Sequence, residues 1–456
     1  MEKPLKIVFV LHNPAVMRSF EKVVRYLCGL GHQVKVLHGY AYLDQPFKVD
    51  RALKACQSEL SNFESRPMLS RKKWLRLSNV REVVDYANYF RPQHPAPWEA
   101  RRWRRSILKP FNQLFKKTAI FNKLLASKRI FNTLKRIERV LPLDQDVLLW
   151  LKANQPDVVV SSPFILPRTS EIEYIQAARA LEIPTIAVVL SWDNLTTKGT
   201  FHSIPDATFV WNDALAEEAT AFHDVPQDKI FITGAPVFDF WFAMKPTLNF
   251  DSFCHNIHIS ADQPYVLYLC SSSYIAKDET SFVMDFAKAL RDHPATKNVR
   301  VLVRPHPLNA AIWQGLEYEY LAVWPKEASW VDTPEVQQDY YNSIYHSAAV
   351  VGVNTSAFLE AAILDKPCVT IITDRYKSKQ ASQGHFRHLL TADFLEVTSS
   401  MPESAAVIAT ILSGQDSKKE QRLRFVRNFI RPHGLDQSAS NILAQGIESV
   451  ALRKQI

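Results

Sequence analysis

Val351-Gly352-Val353-Asn354-Thr355-Ser356-Ala357-Phe358-Leu359-Glu360-Ala361-Ala362 leads from an apolar run into a helical one through three small polar residues. Residues 349–353 read as a buried strand, and 357–364 carry apolar side chains at helical spacing. A strand that feeds a helix directly is half of a parallel crossover unit. Unpaired backbone N–H groups and the positive end of the helix dipole meet at such a junction. Asn354, Thr355 and Ser356 therefore suit an anion without needing glycine. The plainer reading is helix capping by the same residues. Glu360, one turn later, is placed to accept hydrogen bonds from ribose hydroxyls.

The same alternation extends outward in both directions. Upstream, 265–270 reads as a strand, 280–290 as a helix and 299–303 as a strand, and Thr333-Pro334 opens a helix to about 347. Downstream, 368–372 is a strand, and helices begin near Pro402. The first half repeats the pattern from its start, with a strand at 6–11. There Asn13-Pro14 caps a helix carrying Val16, Phe20, Val23, Val24 and Leu27, and 33–37 forms the next strand. Strands at 157–161, 184–190, 207–210 and 229–233 alternate with helices at 171–181 and 213–222. Two such halves imply an α/β protein of two Rossmann-like, doubly wound domains facing each other. The expected boundaries are 1–240, with a basic helical insertion at about 60–150, a linker at 241–263, a second domain at 264–420, and terminal helices at 421–456.

Composition narrows the chemistry. The 456 residues include 11 glycines, where average usage would give about 32, and none lies between Gly39 and Gly199. No G-x-G-x-x-G or G-x-x-x-x-G-K-[ST] occurs, which sets aside the two phosphate cradles that depend on glycine. With 47% hydrophobic residues the chain can build cores, so disorder is excluded. The five cysteines are scattered and form no C-x-x-C pair, as expected of reduced core residues in a cytoplasmic protein. The apolar run Ile7–Leu11 is too short for a signal peptide, and nothing approaches a spanning helix. No His-x-x-x-His pair or carboxylate cluster suggests a metal, and no cofactor is expected.

Charge is unevenly spread. The chain carries 55 Lys and Arg against 46 Asp and Glu, but residues 66–139 alone hold 20 basic residues against four acids, with ten aromatics among them. That mixture suits the anionic inner face of a cell membrane, on which the protein would sit peripherally. A solvated helical face with its rings in the core is the bland alternative, and nucleic acid is a weaker candidate.

Ligands of open α/β sheets bind beyond the carboxyl ends of the strands, so the polar residues just after each strand matter most. Arg304-Pro305-His306-Pro307 offers a guanidinium fork and an imidazole in extended backbone. Ser271, Ser272 and Ser273 form a hydroxyl-rich turn after another strand. Gly234 and Pro236 lie in Thr233-Gly234-Ala235-Pro236-Val237-Phe238-Asp239, a tight turn after a third. In the first half, His12 and Asn13 follow the first strand, and Trp192, Asp193, Asn194 and Lys198 lie in the turn 191–199. Asp193 is a candidate general base with His12 its rival; Asn13, Trp192, Asn194 and Lys198 would hold an acceptor.

Gly234-Ala235-Pro236-Val237-Phe238-Asp239, Arg304-Pro305-His306-Pro307 and the 351–367 segment together resemble the donor-binding half of GT-B-fold glycosyltransferases. They are most similar to surface-polysaccharide enzymes near the CDP-glycerol glycerophosphotransferases. The likeness spans about 229–445, and residues 1–40 resemble the N-terminal domain of the same fold. It implies a nucleotide-sugar co-substrate with its diphosphate at Arg304, His306, Asn354, Thr355 and Ser356 and its ribose at Glu360. Ser271, Ser272, Gly234 and Pro236 would complete the donor site. The acceptor would be a saccharide or a lipid-linked molecule. Ser191-Trp192-Asp193-Asn194 stands where that group has His-Gly-Thr-Pro, which points to a sugar rather than glycerophosphate as the transferred group. UDP-N-acetylglucosamine 2-epimerases share the fold, and a nucleotide-sugar 2-epimerase or a polyol-phosphate transferase of the same fold is the alternative enzyme. A non-catalytic nucleotide- or membrane-binding scaffold is the alternative without chemistry.

Overall fold

In Lys6–Leu11 (β1) every residue after Lys6 is buried, as in a parallel strand covered on both faces. The computed structural model describes residues 3–39, 50–69, 74–91, 93–94, 124, 127–166, 169–315, 320–380 and 383–453. The chain forms two compact units, Met1–Asp239 with Phe429–Ile456, and Phe240–Asn428.

The first unit is built on β1, β2 (Gln33–His38), β3 (Phe63–Pro67), β4 (Val158–Ser162), β5 (Thr185–Val188), β6 (Ala207–Val210) and β7 (Ile230–Ile232). All are parallel, in the order β3-β2-β1-β4-β5-β6-β7. The second unit holds β8 (Tyr265–Leu269), β9 (Arg300–Arg304), β10 (Leu321–Val323), β11 (Ala349–Gly352), β12 (Cys368–Ile371) and β13 (Leu395–Thr398). These too are parallel, in the order β10-β9-β8-β11-β12-β13. Each unit has its own apolar core, centred on Phe9, Val24 and Val160 in the first and on Val266, Phe286 and Val351 in the second.

The central strands and the edge strand β7 lie where the apolar runs predict them, but the other three edge strands are not legible in the sequence. β3 buries only Phe63 of its five residues Phe-Glu-Ser-Arg-Pro, and β10 and β13 are three and four residues long. An edge strand is solvated along one side, so it need not leave a continuous apolar run to read. Residues 241–263, read as a linker, contain the helices Asp239–Ala243 and Phe250–Asn256, and Phe253 and Cys254 are buried in the second unit. Five- and seven-residue helices are too short to display a period.

The basic insertion is described in part. It contains β3 and the helices Trp74–Asn88, Lys128–Arg139 and Gln145–Asn154. Residues 70–73, 95–123 and 125–126 lie outside the described residues, and with them Arg101, Arg102, Arg104 and Arg105. Among the described residues no helix is long and apolar enough to cross a membrane.

The terminal helices divide between the units. Lys419–Phe425 stays with the second, whereas Ala439–Ala451 places Leu443, Ala444 and Ile447 in the core of the first. The Asp239 carboxylate, 1% exposed, holds the returning chain. It accepts hydrogen bonds from Arg431 Nη2 at 2.6 Å, Ser438 Oγ at 2.8 Å and the backbone N–H groups of Ala439 at 3.2 Å and Ser440 at 2.7 Å. Burial would raise the Asp239 pKa, but these donors outweigh it and hold the group below the usual carboxylate range. Gly234 belongs to this seat: at φ +81° it occupies left-handed backbone, and a Cβ there would lie 3.0 Å from the Ile430 carbonyl oxygen. Pro236 opens the short turn Pro236–Phe238 beside it. The two residues assigned by motif to the donor thus sit in the first unit and receive the returning tail.

Asp239→Ala removes the buried carboxylate that faces Arg431 and strips the acceptor from two backbone amides. Urea unfolding at pH 7 should show a loss of about 3–5 kcal/mol, the range for breaking a buried ion pair. Because the folded pKa is depressed, this contribution is present above the unfolded carboxylate pKa and disappears as pH falls through the folded one.

Candidate functional site

Where strand order reverses, the chain leaves two neighbouring strands in opposite directions and opens a crevice at their carboxyl ends. In the second unit the reversal falls between β8 and β11, and in the first between β1 and β4. The polar residues singled out in the sequence follow these strands and their neighbours.

In the second unit Ser271 follows β8 and Asn354 follows β11. The Asn354 backbone N–H donates to Ser271 Oγ at 3.3 Å, closing one strand end onto the other. The Ser271 N–H donates to Glu279 Oε2 at 2.7 Å, and the Tyr268 hydroxyl donates to Glu279 Oε1 at 2.9 Å. The Asn354 amide donates to the Lys379 carbonyl at 3.1 Å. Gln380 extends this tie, its Nε2 reaching the carbonyls of Val353 at 2.7 Å and Ile371 at 3.2 Å. Ser271 and Asn354 are buried, so they frame the crevice rather than line it. Ser272 and Thr355 are half-buried and Ser356 is exposed at the start of the helix Ala357–Ile363. Ser273, beside Ser272, is half-buried as well, so the surface hydroxyls belong to these four.

Arg304, the last residue of β9, is 7% exposed. Its Nη1 donates to Asp339 Oδ2 and Ser343 Oγ, each at 2.7 Å, and its guanidinium lies 4.9 Å from the centre of the Tyr340 ring. It is a strut between β9 and the helix Pro334–Tyr345, whereas the sequence suggested a guanidinium open to phosphate. His306 is half-buried, accepts the Leu308 N–H at Nδ1 (3.1 Å) and meets the Trp330 indole edge-on at 5.7 Å. Burial lowers its pKa, which favours the neutral ring. Trp330 is 54% exposed, an aromatic surface beside the strand ends. Glu360 accepts from the Tyr340 hydroxyl at 2.7 Å, and burial raises its pKa to about 7, against the pull of that hydrogen bond.

In the first unit the His12 N–H donates to the Ser162 carbonyl at the end of β4 (3.1 Å). Gly39, after β2, approaches so closely that a Cβ would lie 2.2 Å from the His12 carbonyl oxygen. His12 Nδ1 is 3.1 Å from Glu171 Oε1, a carboxylate only 1% exposed. Burial opposes a charge on His12, but the Glu171 charge and hydrogen bond prevail and raise its pKa. Asn13 caps the following turn by accepting the Val16 N–H at 3.3 Å. Asp193 lies 3.2 Å from Lys198 Nζ and accepts from Thr197 Oγ1 at 3.0 Å. Trp192 and Asn194 are buried beneath it, and the Asn194 side chain accepts the Ser191 N–H at 3.0 Å. The Lys198 carbonyl accepts from the Tyr89 hydroxyl.

Glu171 escaped the sequence reading. It is 159 residues from its partner, and its one available signal was an acid in the first turn of the helix after β4. Glu279 and Gln380 gave no signal, since each acts by closing a loop. Among the described residues no group of three or more His, Cys, Asp or Glu side chains is placed to hold a metal ion.

No protein-family model matches the chain, and neither does any curated protein. Solved structures match along almost its whole length. A glycosyltransferase from Rickettsia africae is 11% identical, with a TM-score of 0.55 over 98% of this chain and 99% of that one. UDP-N-acetylglucosamine 2-epimerase from Neisseria meningitidis, solved with UDP-N-acetylglucosamine, is 12% identical, with a TM-score of 0.54 over 97% and 100%. Arabidopsis thaliana UGT89C1, complexed with UDP, is 12% identical, with a TM-score of 0.53 over 98% and 100%. The fold is GT-B. At these identities the likeness is one of fold and does not reach the finer resemblance to the CDP-glycerol group.

Glu360 and Glu279, both raised to about 7 by burial, keep protons that the unfolded chain has lost above about pH 4.5. The stability that these two carboxyls contribute should therefore fall as pH rises from about 4.5 to about 7 and level off above. Urea unfolding across this range should give a shallower slope for Glu360→Gln; an unchanged slope would assign Glu360 an ordinary carboxylate pKa.

Proposed function

We propose that the chain is a glycosyltransferase that moves a sugar from a nucleotide-sugar donor to a saccharide or lipid-linked acceptor. The observation that carries this reading is the gathering of Ser272, His306, Thr355 and Ser356 behind β8, β9 and β11, around the reversal of strand order. Three hydroxyls and an imidazole at such a crevice suit a diphosphate, and the Trp330 indole offers a stacking face to the base. Arg304, Ser271 and Asn354 hold this surface in place. Two of the matched structures contain UDP or a UDP-sugar, which supports the choice of donor.

On the acceptor side, His12 is the better base of the two candidates. Glu171 orients its ring and stabilises its protonated form, whereas Asp193 already faces Lys198. In the reaction the acceptor hydroxyl gives its proton to His12 as its oxygen bonds to the anomeric carbon. The bond from that carbon to the phosphate oxygen breaks, and its electron pair leaves with the nucleoside diphosphate. No step requires a resident cofactor. The basic segment 66–139 would bring the protein to an anionic membrane surface.

Epimerisation of a UDP-sugar is the second reading, favoured by the match to the Neisseria enzyme. A thermal-shift screen of UDP-, GDP-, CMP- and CDP-linked sugars tests the donor site, and a flat response to all of them would remove it. Incubation of UDP-N-acetylglucosamine without acceptor separates the enzymes, since only an epimerase yields the C2 epimer.

His12→Asn should lower kcat by about 10²–10⁴-fold, the usual contribution of a general base, with little change in donor KM. In wild type the rate should rise with pH through a His12 pKa above the ordinary histidine value. Glu171→Gln removes the charge that raises this pKa, so the acid limb should move to lower pH. A limb that stays in place would exclude His12.

A further inference from the structure

The first unit contains a cavity of about 1030 Å³ whose wall, among the described residues, carries Arg91, Lys128, Lys135, Arg139 and Arg179 against a single carboxylate, Asp224. Arg91 and Asp224 pair with each other through bonds of 2.8 and 2.7 Å. The other four cations gain little compensation. Among the described residues Arg179 reaches only neutral oxygens, Ser203 Oγ at 2.9 Å and the Ile204 carbonyl at 2.8 Å. Lys135 donates to the Phe201 carbonyl and stands 3.9 Å from Glu138. That carboxylate is already shared with His202 at 2.8 Å and Arg81 at 3.6 Å. Lys128 and Arg139 have no ion pair among the described residues. Burial lowers the Lys135 pKa, and the nearby Arg139 charge adds to the effect against the pull of Glu138 and Asp85. Like charges are thus crowded where water is partly excluded, an arrangement that an anion would relieve.

This wall is not the crevice of the proposed reaction. Arg179 ends the helix before β5, Ser203 and Ile204 lead into β6, and Asp224 precedes β7. His12 and Asp193 instead follow the carboxyl ends of β1 and β5. Three of the cations come from the helix Lys128–Arg139, which the buried Glu138–His202–Asp85 chain fastens to the unit.

We propose that this cavity is a second anion site, built by the insertion, for a molecule bearing a phosphate or diphosphate. Several guanidinium and ammonium groups around one space match a compact multiple charge better than a lone carboxylate. The volume exceeds inorganic phosphate, so the remainder of the ligand lies along Phe131, Leu141 and Leu143, which also line it. Such a group occurs on soluble phosphate esters and on phospholipid headgroups.

Titration calorimetry of the full chain with inorganic pyrophosphate at low salt, and flotation with phosphatidylglycerol vesicles, test the site. Lys128 and Arg139 are exposed, so the double variant Lys128→Ala/Arg139→Ala should fold normally. It should weaken binding at this cavity at least tenfold, while the charge-matched control Lys288→Ala/Lys297→Ala, exposed in the second unit, leaves binding within twofold. Weakening seen with pyrophosphate assigns a soluble phosphate, and weakening seen only with vesicles assigns a headgroup. If wild type binds neither probe, or the Lys128/Arg139 variant binds both as wild type does, the site is overturned. A loss seen with His306→Ala/Ser356→Ala but not with the Lys128/Arg139 variant would overturn it as well, since binding would then belong to the donor site of the second unit.

Discussion

A parallel sheet delivers the carboxyl end of every strand to one edge, and the chain can leave that edge in two directions only where strand order reverses. This constraint organises both units. It sets His12 beside the end of β4 and Ser271 beside Asn354, although these pairs are far apart in sequence. The hydrogen bond from Asn354 to Ser271 and the approach of Gly39 to His12 are local consequences of two strand ends meeting there. Everything functional about the strand ends depends on backbone direction first and on side chains second.

Buried charge does the second part of the work. Asp239 fastens the returning tail to the first unit, and Arg422, fully buried between Asp365 and Asp416, fastens the helix Lys419–Phe425 within the second. Arg304 does the same for β9. Each group has several partners, which makes its burial tolerable and its loss expensive. The scarcity of glycine fits this design. Gly39, Gly199, Gly234 and Gly352 stand where backbone approaches backbone, and side-chain oxygens and amides close the strand ends around them.

Function and frame therefore divide differently from how motifs suggest. Residues that look like ligands by spacing, such as Arg304, Ser271 and Asn354, are buried in the frame. The polar side chains that reach the surface beside them are those of Ser272, His306, Thr355 and Ser356, on which the proposed donor site rests. Glu171 gives His12 an oriented, charge-stabilised ring that neither residue implies alone. The insertion follows the same logic, with a buried Glu138–His202–Asp85 chain behind a wall of cations.

The sequence by itself determined the two α/β halves, the central strands and the strand-end clusters, because a strand buried on both faces must be a continuous apolar run. It was silent on β3, β10 and β13, whose solvated edges relax that demand, and on helices too short to repeat a period. Only the tertiary structure decided that Ala439–Ala451 completes the first core, that Gly234 and Pro236 seat it, and that Glu171 meets His12. Those pairings join residues more than a hundred positions apart, and no local pattern records them, since the energy that selects them arises only when the surfaces close on each other.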